Sequence, residues 1–231
     1  MTETIAAQVP AAATPHPVCT RESRITRSLL GYGVIAGPFY LVVSLAQALT
    51  RDGFDLSRHE WSLLANGPGG WVQVLNLVLT GLMVVAAAAG FRRALGTGRA
   101  GRWAPRLLGL YGAALVAAGA FRAEPMNGFP VGTPDGPPAQ PTLHGTLHFV
   151  AGGVGFLALV AATWLLAGRF RSDGRRRQAT WTRATGVAFL VAFAGIASGA
   201  TSPVTNLAFT AAVVLTWAWL SLTSLQQYEA A

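Results

Sequence analysis

The chain has 231 residues, of which 52% are hydrophobic and 11% charged, against roughly a quarter charged in an ordinary soluble domain. That composition argues against a soluble globular enzyme and for a membrane protein. The formal net charge of +8 would suit a nucleic-acid partner, but the 17 basic residues, all arginine, sit in blocks between apolar runs, and that distribution argues against one.

Residues 1–27 predict a disordered cytoplasmic tail, rich in Ala, Pro and Thr through Thr20 and without apolar period. Cys19 lies in it as the only cysteine, so no intrachain disulfide is expected. Six apolar runs follow, near 29–49, 71–91, 107–121, 143–167, 184–200 and 204–225. About 20 mainly apolar residues take a helix across the hydrocarbon core, where only helices and closed barrels satisfy their backbone. The first run resembles a secretory signal, with Ala46-Gln47-Ala48 in the form of a cleavage site, but it is too long and five spans follow. Its Gly33 and Gly37 predict close helix packing, and Pro38 a bend.

Between the first two runs, Ser57-Arg58-His59-Glu60 has the form of a capping box opening a short helix that Asn66-Gly67-Pro68 ends. Trp61, Leu63 and Leu64 are then expected at the bilayer boundary, with the helix lying over the bundle. Gln73 and Asn76 in the second span are expected to link helices. After the third span a proline-rich loop runs to Thr142, the N-cap expected for the fourth, which places His144 and His148 in its first two turns. Gly152, Gly153 and Gly155 predict tight packing of that helix, and Gly195 and Gly199 of the fifth. Ser202-Pro203 reads as N-cap and first residue of the sixth, and residues 226–231 as a short cytoplasmic tail.

The arginines fall before the first run, between the second and third, and between the fourth and fifth; only Arg51, Arg58 and Arg122 lie elsewhere. By the positive-inside rule this predicts an all-α polytopic membrane protein with six transmembrane helices and both termini cytoplasmic. The lipid bilayer is the expected partner, with anionic headgroups at the cytoplasmic face attracted to the arginines around Arg175.

On this topology a polar cluster collects on the outer side: Asp55, His59, Arg122, Glu124, His144 and His148, with Asp52, Glu60 and Asp135 nearby. His144 and His148 are four apart, hence on one helix face with Cβ atoms roughly 5–6 Å apart. Zinc takes three or four ligands from Cys, His, Asp and Glu, so His59, His144, His148 and Glu124 are candidate ligands for a divalent metal such as zinc. The alternative is a structural hydrogen-bond cluster, with Arg122 paired to Glu124, Asp55 or Asp135 and Glu60 serving as a cap.

Gly53-Phe54-Asp55, His59, Ser62-Leu63-Leu64, Gly70-Trp71, Asn76, Gly81, Gly119-Ala120-Phe121, Pro125, Gly128-Phe129-Pro130, His144-Gly145 and His148 together resemble the bacterial membrane family called domain of unknown function 998. Glu124 departs from that pattern, which has Asp there. The resemblance covers 29–225 and implies a six-span protein of the bacterial inner membrane with no established activity. Three functions are expected from the cluster: a ligand-binding or metal-binding membrane protein; a metal-dependent hydrolase of a lipid or other amphiphile, with Glu124 or Asp55 as general base; or a transporter of an uncharged solute. The last is disfavoured by the lack of ionisable groups in the middle of every span.

Overall fold

The structure, a computed structural model, describes residues 20–138, 140–199 and 202–231. The tail through Cys19, and Ala200 at the end of the fifth apolar run, lie outside them. Six long helices follow one another: α1 (Arg21–Thr50), α2 (Gly70–Ala94), α3 (Arg99–Ala120), α4 (Leu143–Ser172), α5 (Arg176–Ala197) and α6 (Pro203–Ala230). A 3-10 helix, Trp61–Ala65, lies between the first two, and no strand occurs among the described residues. Five of the six long helices, all but α3, are long and apolar enough to cross a membrane. The first turns of α3 carry Arg99, Arg102 and Arg106, which leaves it a shorter apolar stretch.

Each helix packs on its neighbour in sequence, and α1 closes the ring against α6. At one end of the bundle Ser23 Oγ donates to the Ala231 carbonyl, Arg93 Nε to Thr26 Oγ1, and Arg175 to the Gln226 side chain. This end therefore gathers both ends of the described chain and the arginine-rich segments. The opposite end carries the loops 51–69 and 121–142.

The helices overrun the apolar runs at the arginine-rich end. Residues 21–27, read from sequence as tail, form the start of α1, where Thr20 Oγ1 accepts from the Ser23 N–H at 3.2 Å. Arg169 and Arg171 lie in the last turn of α4, and α5 resumes at Arg176. Hydropathy marks only the length inside hydrocarbon. Arginine is a good helix former, and cations at a helix C-terminus suit its dipole, so the helices continue into water.

Several local expectations hold. Thr142 Oγ1 caps α4 by accepting from the Gly145 N–H at 3.2 Å, and Ser202 Oγ caps α6 through Thr205 at 3.1 Å. A Cβ on Gly33 would lie 2.3 Å from Ser224 Oγ, and one on Gly37 would lie 2.9 Å from Ser221 Oγ, so these glycines form the α1/α6 seam. Gly81 and Gly112 bring the backbones of α2 and α3 into contact; a Cβ on either would stand 2.5 or 2.6 Å from the other's carbonyl oxygen. Gln73 and Asn76 link α2 to α1: Gln73 Oε1 accepts from Gln47 Nε2 at 2.8 Å, and Asn76 Nδ2 reaches Ser44 Oγ at 3.0 Å and the Tyr40 carbonyl at 3.1 Å.

Two glycine expectations fail. Gly199 is no helical contact residue but follows the end of α5, at φ 80°. Of Gly152, Gly153 and Gly155 in α4 only Gly155 packs tightly, where a Cβ would stand 2.5 Å from the Ala114 Cβ, whereas Gly152 has no neighbour within 4 Å. Small residues permit close approach without enforcing it, and here the space beside Gly152 is a cavity.

The outward faces of the helices are apolar, with Val42, Leu79, Leu82 and Val191 exposed. Trp71 is exposed at one end, and Trp103, Trp164 and Trp181 at the other, the placement of membrane-interface belts. Arg102 and Arg106 lie over the Trp103 ring at 5.7 and 5.1 Å from its centroid.

Candidate functional site

The loops 51–69 and 121–142 fold together into a cap over one end of the bundle. Arg51, which ends α1, donates to the carbonyls of Leu64 and Asn66 and lies 4.9 Å over the Phe129 ring. It thereby satisfies carbonyls at the end of the short 3-10 helix that no intrahelical donor reaches. The expected capping box does not form. Asp55 Oδ1 instead accepts from the Ser57 N–H at 2.7 Å, and the Asp55 carbonyl accepts from Arg58 and His59. The 3-10 helix starts only at Trp61, and Glu60 in front of it makes no capping bond.

Trp61, Leu63 and Leu64 point inward, not toward the bilayer boundary, each 2% exposed or less. Leu63 and Leu64 pack with Phe129 of the second loop, a partner from a distant stretch of chain. Trp61 closes the bundle from above: its ring lies 6.0 Å from that of Tyr40, and its Nε1–H donates to Thr210 Oγ1 at 3.3 Å.

His59 is buried between the two loops. Its Nδ1 accepts from the Asp55 N–H at 2.9 Å, so the ring proton sits on Nε2, which donates to the Asn127 carbonyl at 2.9 Å. Phe54 and Phe129 flank the ring at 5.3 and 5.5 Å. Both nitrogens are committed, which leaves no lone pair for a metal. The hydrogen bonds from Ser57 hold the Asp55 carboxyl below its ordinary range.

Glu124 and His148 lie together at the α3–α4 joint. The Glu124 carboxylate accepts the Thr142 N–H at the start of α4, and a Cβ on Gly145 would fall 2.4 Å from its Oε1. Bonding to Thr142 and Gly145 holds its pKa below the ordinary value, as expected for an acid at a helix N-terminus. His148 donates from Nδ1 to the carbonyls of Ala118 and Phe121 at 3.0 and 2.8 Å, capping the end of α3. With that proton placed, Nε2 carries the lone pair.

The remaining cluster members are dispersed. His144 is exposed and packs edge-on to Phe121 at 5.7 Å. Arg122 is exposed and, among the described residues, makes no ion pair; Asp135 is taken by Arg58 at 2.7 Å. Among the described residues no group of three or more His, Cys, Asp or Glu side chains is placed to hold a metal ion. His59, His144, His148 and Glu124 thus do not form a ligand set: His59 is spent on the cap, and Glu124 on the helix N-terminus.

Beneath the cap lies a cavity of about 500 Å³, within the roughly 300–1,000 Å³ range of small-molecule sites. Its wall is mainly apolar and aromatic, including Tyr40, Tyr111, Phe156, Phe209 and Trp217, with Trp61 above. Glu60, Glu124 and His148 also line it. Glu60 is the feature that sequence reading missed, having been assigned a capping role. Its position directly before the apolar Trp61-Ser62-Leu63-Leu64 is the only sequence signal for it. Among the described residues no other residue donates a hydrogen bond to its carboxyl, and burial raises its pKa, partly offset by its own N–H and by His59.

Exposed residues line the cavity on the outer halves of α4 and α5, Phe149 and Ala197 beside Gly152, Gly153 and Phe193, and toward the cap at Pro141 and Thr146. Lower down these helices touch, a Cβ on Gly186 falling 2.1 Å from Thr163 Oγ1, but nothing approaches a Cβ on Gly153 closer than Phe193 Cζ at 3.9 Å.

These features define a class: a multi-pass helical membrane protein whose capped end encloses an apolar cavity with a few polar side chains at its rim. The chain belongs to the family described as a protein of unknown function, DUF998, whose model matches residues 34–226. No curated protein and no solved structure matches it.

Proposed function

We propose that the chain crosses the bacterial cytoplasmic membrane six times, with the arginine-rich end inside, and binds an amphiphile in the cavity on the extracytoplasmic side. The cavity carries this reading: it is mainly apolar, lined in part by exposed residues of α4 and α5, and also lined by Glu60, Glu124 and His148. The arginine-rich end supports the orientation and suits anionic headgroups of the inner leaflet. The test is mass-spectrometric identification of small molecules that co-purify with the full chain. Wild type is expected to retain an amphiphile that Gly152→Leu, which places a side chain into the cavity from its α4 wall, loses; equal retention by both would overturn the reading.

A hydrolase reading draws on one observation, the Nε2 lone pair of His148 at the cavity wall. Such a group is suited to act as a general base on a water molecule. Ester turnover by the purified protein, abolished in His148→Gln, would favour it over binding alone.

A further inference from the structure

Within a bilayer an apolar wall selects weakly, because an alkyl chain leaves surroundings as apolar as those it enters. Discrimination therefore falls to the polar groups of the lining, which are the hydroxyls of residues such as Ser62, Thr146 and Thr216, able to donate or accept, and the ionisable side chains, which present acceptors. Glu60 presents a carboxyl with no donor from another described residue, and His148 presents the Nε2 lone pair. Glu124 adds negative charge, though its oxygens already face the α4 N-terminus.

No arginine lines the cavity among the described residues. Arg51 is held by the Leu64 and Asn66 carbonyls, Arg58 by Asp135, and Arg122 is exposed outside the cavity. Below the rim the aromatic rings are contiguous, with Tyr40 at 6.0 Å from Trp61 and 5.2 Å from Trp217, and Trp217 at 6.0 Å from Tyr111. Ring faces of this kind attract cations.

Resting on the cavity reading above, we infer that the site takes an amphiphile with a protonated amine head, its charge on Glu60 and an N–H donated to His148. An anionic head would meet two carboxylates and no cation. A hydroxyl head would satisfy His148 but bring no charge to pair with Glu60. Burial disfavours the Glu60 carboxylate when it stands alone, and a paired cation offsets part of that cost where a neutral or anionic head does not.

The experiment is native mass spectrometry of the full chain in dodecyl maltoside at pH 7.5, with dodecylamine, dodecanol or sodium dodecanoate at equal concentration. The amine adduct is expected to exceed the other two at least tenfold. Glu60→Gln should bring it to the dodecanol level, and Gly152→Leu should remove all three. If dodecanol or dodecanoate binds as well as the amine and Gly152→Leu abolishes both, the cavity stands and the amine assignment falls. An amine preference that survives Glu60→Gln also overturns the assignment. If no probe binds above the Gly152→Leu background, the cavity reading itself fails.

Discussion

The imidazole of His59 donates its Nε2–H to the carbonyl of Asn127, 68 residues further along the chain, across 2.9 Å, tying two loops together. With the Asp55 N–H on the other nitrogen, the ring is a buried clasp. His59→Leu leaves a buried donor and acceptor unpaired and should cost about 2–4 kcal/mol. Chemical denaturation in detergent checks the loss, and hydrogen exchange at Gly128 and Phe129 should accelerate. Unchanged stability with unchanged exchange would contradict the clasp.

Glu60 gives a pH dependence of one sign. Its pKa is raised in the fold, so its contribution is favourable below the ordinary carboxylate value and is lost as pH rises through the folded one. Glu60→Gln should therefore melt higher than wild type at pH 7.5 and alongside it at pH 4. A lower melting temperature at pH 7.5 would show that the carboxylate has a donor partner.

Glu124 has the opposite sign. Its folded pKa is depressed by the α4 N-terminus, so its contribution is present above the ordinary value and is lost as pH falls through the folded one. Glu124→Gln should melt below wild type at pH 7.5, with the gap closing on acidification. A gap of constant size across that range would assign the loss to packing against Gly145 instead.

Two glycines of α4 should answer oppositely to the same side chain. Gly155→Leu drives a side chain into Ala114 of α3 and should cost roughly 1–3 kcal/mol or more. Gly152→Leu enters open space and should fold with stability near wild type. Thermal melts of the pair in one detergent decide it, and equal losses would mean the cavity is not as open as described.

Orientation is tested by cysteine labelling in a Cys19→Ser background. A membrane-impermeant maleimide added to intact cells should modify Pro137→Cys in the cap and spare Arg175→Cys between α4 and α5. The reverse pattern would invert the proposed topology.

Helix number, helix order and the caps at Thr142 and Ser202 were legible because composition, periodicity and capping residues act over a few neighbouring positions. The candidate site was legible only as an inventory. Asp55, His59, Glu124 and His148 do lie at one end of the bundle, but their tasks depend on partners far along the chain: Asn127 for His59, and the Ala118 and Phe121 carbonyls for His148. Spacing within one helix paired His144 with His148, yet the first is exposed while the second caps α3 and faces the cavity. Trp61, Leu63 and Leu64 were misjudged because the partners that draw them inward, Tyr40 and Thr210 for Trp61 and Phe129 for the two leucines, sit in stretches that no local pattern connects to them.

The contact of α4 and α5 at Gly186 and Thr163 is a floor beneath the opening between them. On the proposed reading, molecules exchanging sideways there come from the leaflet nearer Glu124, because those diffusing in the other monolayer meet closed helix. The bundle would then sample one half of the membrane alone, a directional bias to which Thr163 seated on Gly186 contributes.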